Sequence, residues 1–144
     1  MPESKQSYSS HSRFDPHFHF FLVPISAIMF LALLYHVIFQ HHDRFEMFLA
    51  GWMFLFVASL FKTRLYALRN QDRIIRLEET VRLAGLAPDL RPRLHEVTSD
   101  QFIALRFAPD AEAAALCKRA LDEKLSRDDI KKAIKDWRGD YMRI

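Results

Sequence analysis

Residues 45–86 carry no proline, and before Gly85 their only glycine is Gly51. The stretch begins as FEMFLAGWMFLFVASLF and runs on as KTRLYALRNQDRIIRLEETVRLAG. Nothing in it breaks a helix, so it reads as one long helix, apolar in its first part and charged in its second. An apolar stretch needs lipid or a protein core around it, and the charged part needs water. The rest of the chain is read around that division.

A second apolar run precedes it. Residues 18–39, FHFFLVPISAIMFLALLYHVIF, hold no Asp, Glu, Lys or Arg. At helical rise they reach roughly 33 Å, enough for a hydrocarbon core, while residues 45–61 reach roughly 26 Å. Only QHHDR joins the two runs, which permits an antiparallel return. Asp15 is placed to cap the first helix, with Pro16 at its first position. Pro24 is expected to remove one backbone hydrogen bond near the start of the first span. The run is too long for a signal-peptide core, and no small-x-small site follows Phe39, which argues against cleavage. Hydrophobic residues make up 50% of the chain and charged ones 27%, but the averages hide the segregation. Apolar residues crowd before Lys62 and charges after it.

The fold class is therefore all-α: a two-span helical hairpin whose second span continues as a long cytoplasmic helix, then a small three-helix domain. The expected divisions are a flexible polar segment 1–13, a transmembrane hairpin 14–66 with spans 18–39 and 45–61, an amphipathic juxtamembrane helix 62–86, and a helical domain 87–144. Six basic residues from Lys62 to Arg82 follow the second span, whereas the connecting loop holds only Arg44. Basic flanks stay cytoplasmic, so both termini are expected in the cytoplasm.

Two faces of the amphipathic part are singled out. Lys62, Arg69, Arg73 and Arg76 fall within a sector roughly 60° wide at 100° per residue, a candidate contact for anionic lipid headgroups. Their simpler role is to set topology. Ile74, Leu77 and Val81 form a candidate packing seam, with Ala67 and Ala84 on the same face. Asp72 with Arg76 and Glu78 with Arg82 are i,i+4 pairs in the favourable order. The seam must be covered, either by the terminal domain through residues such as Phe102, Phe107, Leu121 and Trp137, or by a second copy. Because the seam is short and the domain small, covering within one chain is expected, with dimerisation as a weaker addition. In the terminal domain Thr98 and Gln101 make a capping box. Asp110 and Ser126 are expected to cap the next two helices, the last carrying Ile130, Ala133, Ile134 and Trp137 on one face up to Gly139.

Several segments resemble a known family. They are Ser12-Arg13-Phe14-Asp15-Pro16, Lys62-x-Arg64-Leu65-Tyr66-Ala67-Leu68, Gln71-Asp72-Arg73-Ile74-Ile75-Arg76-Leu77-Glu78-Glu79 and Trp137-Arg138-x-Asp140-Tyr141-x-Arg143. Together they resemble a family of small bacterial membrane proteins known only as a domain of unknown function. The resemblance implies two spans and a bacterial inner-membrane location. It implies no activity and supplies no catalytic residues.

The residues themselves offer little chemistry. Cys117, the only cysteine, lies on an apolar helix face and reads as an inert core thiol. No nucleophile–base pair or phosphate loop is present, so no enzyme and no cofactor are expected. The spans carry no charged residue in their middle, which argues against a transport path. His36, His41 and His42 cluster at the loop, but four convergent metal ligands are not apparent. Basic residues of the terminal domain alternate with acidic ones, which argues against nucleic acid. What remains is a membrane-anchored interaction or scaffold protein with the bilayer, and in addition a second copy of itself, as partners. The alternative is an accessory subunit bound to a larger membrane transporter or enzyme complex.

Overall fold

The computed structural model describes residues 7–8, 15–40 and 43–140. Most of the polar segment 1–13 lies outside the described residues, as do His41 and His42. The described chain is all-helical and contains no strand. After a π-helical turn at Phe18–Leu22 come α1 (Val23–Phe39) and the 43-residue α2 (Arg44–Leu86). A 3-10 segment (Pro88–Glu96), α3 (Ser99–Leu105), α4 (Asp110–Asp122) and α5 (Arg127–Ala133) follow. Contacts divide the chain into a hairpin unit, Arg13–Leu68, and a terminal unit that begins its main part at Arg69. Helix α2 contributes to both.

In the hairpin unit the first helix starts as its sequence dictates: the Phe18 amide donates to Asp15 Oδ1 at 3.2 Å. Pro24 falls in the first turn of α1, and the π turn lies immediately before it. There the Val23 amide donates to Phe18 O, five residues back. The helix is continuous from Pro16 through the π turn into α1, so Pro24 lies inside it, and the wider winding just before the proline is the local change that accompanies its missing N–H. Asp43 begins α2, its Oδ1 3.4 Å from the Phe45 amide. The two helices meet in opposite order. Phe18 lies beside Phe61 at 6.3 Å between ring centres, Phe30 beside Phe54 at 6.2 Å, and His36 beside Glu46 at 3.2 Å. The small residues Ser26 and Ala50 are the buried ones, as expected where two helix backbones approach. Gly51 is not such a site, since a Cβ there would meet nothing within 4 Å. Ser59 is exposed and donates to Leu55 O of its own helix at 2.7 Å.

Both hairpin helices are long and apolar enough to cross a membrane. Their large side chains turn outward: Phe20 and Phe39 are each 71% exposed, Phe45 63% and Trp52 60%. A water-soluble protein would bury such side chains, at roughly 1.5–3 kcal/mol apiece.

The terminal unit has a closed core of its own. Leu83, Leu105, Phe107, Ala113, Cys117 and Ile130 are completely buried, and Phe102 nearly so. The capping box is present as read from sequence: the Gln101 amide donates to Thr98 Oγ1, and the Thr98 amide donates to Gln101 Oε1. The same Gln101 side chain donates to Ala120 O and Leu125 O, tying α3 to the end of α4. Helix α4 ends in a Schellman turn, with the Leu125 amide donating to Ala120 O and Lys124 taking a φ of 52°. Ser126 caps α5 by accepting from the Asp129 amide.

Two local expectations are corrected. Pro109, not Asp110, is the N-cap of α4: the backbone is extended at Pro109 and helical from Asp110, whose carboxylate accepts from Arg82. Helix α5 stops at Ala133, where Ile134 turns extended. The Lys135 and Asp136 amides then donate to the Glu112 carboxylate, which captures the chain before it can wind on to Gly139. Trp137 still joins the core edge, its ring 5.1 Å from that of Phe107. The 3-10 segment Pro88–Glu96 that follows α2 is buried through Leu90 and Leu94.

Candidate functional site

Covering of Ile74, Leu77 and Val81 by the terminal domain does not occur. They are 56%, 66% and 67% exposed. The face of α2 that packs is the one carrying Ile75, Glu79 and Leu83, which are 5%, 5% and 0% exposed. Phe102 and Phe107 are spent inside the unit's own core, which is larger than its length suggested.

The packed face contains a carboxylate, and its surroundings explain how. Arg82 donates to Glu79 Oε2 at 2.8 Å, to Asp110 Oδ1 at 2.8 Å and to Ala108 O at 2.6 Å. Arg138 approaches the other Glu79 oxygen at 3.8 Å. Arg82 therefore serves the fold of the terminal unit, and it pairs with Glu79 rather than with Glu78 as the i,i+4 pattern implied. Burial pushes the Glu79 carboxyl above its ordinary range, and the two guanidinium groups oppose that shift. A second inward cation, Arg106, meets Asp140 at 3.2 Å and lies 4.6 Å from the Phe107 ring centre. No apolar-pattern reading could find the contacts of Arg82 with Asp110, Arg138 with Glu79 and Arg106 with Asp140, because each joins residues far apart in sequence.

The basic residues separate into two kinds. Lys62, Arg69, Arg73 and Arg76 are all exposed. Lys62 Nζ stands 5.5 Å from the Tyr66 ring centre. Arg64 differs: its side chain is 14% exposed, 3.9 Å from Asp15 and 5.5 Å from the Phe18 ring centre. It closes the open end of the hairpin.

The thiol of Cys117 is buried, and burial pushes its pKa up to about 11. A thiol so held is almost never thiolate near neutrality, which fits a packing role. Among the histidines, His36 is engaged with Glu46. The ring Nδ1 of His19 lies 2.9 Å from Asp15 O. His41 and His42 lie outside the described residues, so the three-histidine grouping is not formed by anything described. No cluster of three metal-ligating side chains occurs among the described residues. An open cavity of about 650 Å³ in the terminal unit borders Thr98, Gln101, Lys124, Ser126, Arg127 and Asp128. Its Thr98, Gln101 and Ser126 are the capping groups already satisfied by the helices.

Fold and surface together define a small all-helical protein with two helices of membrane-spanning length and a separate helical unit built on the end of the second. The whole chain, residues 1–144, matches a family of unknown function, DUF6526, and belongs to it. No curated protein and no solved structure matches the chain.

Proposed function

We propose that this is a membrane-anchored interaction or scaffold protein. Its hairpin spans a bacterial inner membrane, both termini are cytoplasmic, and the terminal unit is held at the cytoplasmic surface. One observation carries the reading: the apolar side chains of both hairpin helices face outward, while the terminal unit keeps a closed core of its own. The first property suits hydrocarbon and the second suits water. The orientation rests on the basic residues after Phe61. Exposed Lys62, beside the second span, is then nearest to anionic headgroups, a contact worth about 1 kcal/mol near such a surface, with Arg69, Arg73 and Arg76 farther along the same helix face.

A scaffold acts through what it holds. Crosslinking in intact membranes, then purification in mild detergent and mass spectrometry, tests this. Crosslinks from the exposed lysines of α4 and α5 to other membrane-bound chains or to further copies support the reading. A stable complex with one large membrane protein places the chain as an accessory subunit instead. A product that turns over substrate by itself overturns both.

A further inference from the structure

We infer that residues 70–81 of α2 pair with the same residues of a second copy as a parallel two-stranded coiled coil. The inference rests on the membrane-anchored reading above for the orientation of the two chains. Written as a heptad, Ile74 and Val81 occupy a positions and Leu77 the d position between them. Ala67 and Asn70 continue the series toward the hairpin. β-branched residues at a with leucine at d favour two parallel strands. All three apolar side chains are more than half exposed, and the same helix buries its other face in the terminal unit through Ile75, Glu79 and Leu83. The seam is therefore an additional face that one chain does not use.

Charge decides the direction. Arg73 falls at g and Glu78 at e, five residues later, and both are exposed. In a parallel pair, each g residue faces the e residue five positions on in the partner chain, so Arg73 meets Glu78 twice by symmetry. In an antiparallel pair e faces e, and Glu78 would oppose its own copy. Within one chain these two residues point 140° apart on the helix wheel at 100° per residue, so the complementarity serves only a partner.

The seam is about 18 Å long at helical rise, too short for a coiled coil free in solution. Anchoring changes that condition. Two hairpins inserted in the same sense present their α2 helices in parallel, and confinement to one bilayer raises their effective concentration.

The full chain in native membranes tests the pairing. Ile74→Cys and Val81→Cys are made separately and oxidised. Each should form a disulfide-linked dimer with itself, about tenfold above the wild-type chain, whose buried Cys117 cannot bridge. Arg73→Glu in either background should lower the yield several-fold, and adding Glu78→Arg should restore it. Crosslinking only between Ile74→Cys and Val81→Cys chains, with neither linking to itself, overturns the parallel arrangement. No crosslink from chains that resist alkaline extraction overturns the pairing while leaving the membrane reading intact. Chains released by alkaline extraction overturn the membrane reading on which it rests.

Discussion

Leu83→Ala is expected to open the terminal unit, and Leu77→Asp is expected to leave it closed. The two residues lie six positions apart on the same helix and differ in what covers them. Leu83 is completely buried against the core that contains Phe107, Cys117 and Ile130. Removing its side chain should cost about 2–5 kcal/mol, as large-to-small core changes do. Leu77 is 66% exposed, so an aspartate there should cost the unit within about 0.5 kcal/mol. Cys117 supplies the readout. It is fully buried and is the chain's only thiol, so its labelling requires the unit to open. In detergent, Leu83→Ala should speed labelling roughly thirty-fold or more, since ~1.4 kcal/mol is a factor of ten. Equal acceleration by Leu77→Asp would mean that the seam, and not the Leu83 face, covers the core.

The second large effect belongs to Glu79. Replacing it by lysine places an ammonium beside Arg82 and Arg138 at a position that is 5% exposed. An uncompensated buried charge costs about 3–5 kcal/mol, so Glu79→Lys should open the unit at least as much as Leu83→Ala. Glu79→Gln isolates the titration. Burial holds the folded carboxyl above its ordinary value of 4.5, so the folded chain binds this proton more tightly than the unfolded one. The resulting stability is full below 4.5 and is lost as pH rises through the folded value. The ratio of wild-type to Glu79→Gln labelling rates at Cys117 should therefore rise with pH above 4.5. A ratio that is flat or falls with pH would contradict the dominance of burial at this site.

The same residue explains how far the sequence could be read. The first apolar helix, the long helix, and the caps at Asp15, Thr98 and Ser126 are local: each depends on residues within a few positions, and each is where the pattern places it. The packed face of α2 is not local. Ile74, Leu77 and Val81 make the more apolar stripe, so hydrophobic spacing selects them. The face actually buried includes Glu79, and its carboxylate is tolerated only because Arg82 and Arg138 reach it, one of them from 59 positions away. Helix α5 shows the same thing. Its apolar spacing continues to Trp137, but Glu112 takes the Lys135 and Asp136 amides and ends it four residues earlier. Pairings of this kind leave no periodic trace. The π turn before Pro24 is intermediate, since the proline was visible but the winding that absorbs it was not.

The central reading is that the hairpin crosses the membrane and leaves both ends in the cytoplasm. Compartment-sensitive reporters placed at His42, at the N-terminus and after Ile144 test it in one experiment. The His42 insertion should report the outer side, and both terminal fusions should report the cytoplasm. A cytoplasmic signal from the His42 insertion would contradict the two-span hairpin and, with it, the parallel presentation of α2 that the pairing requires.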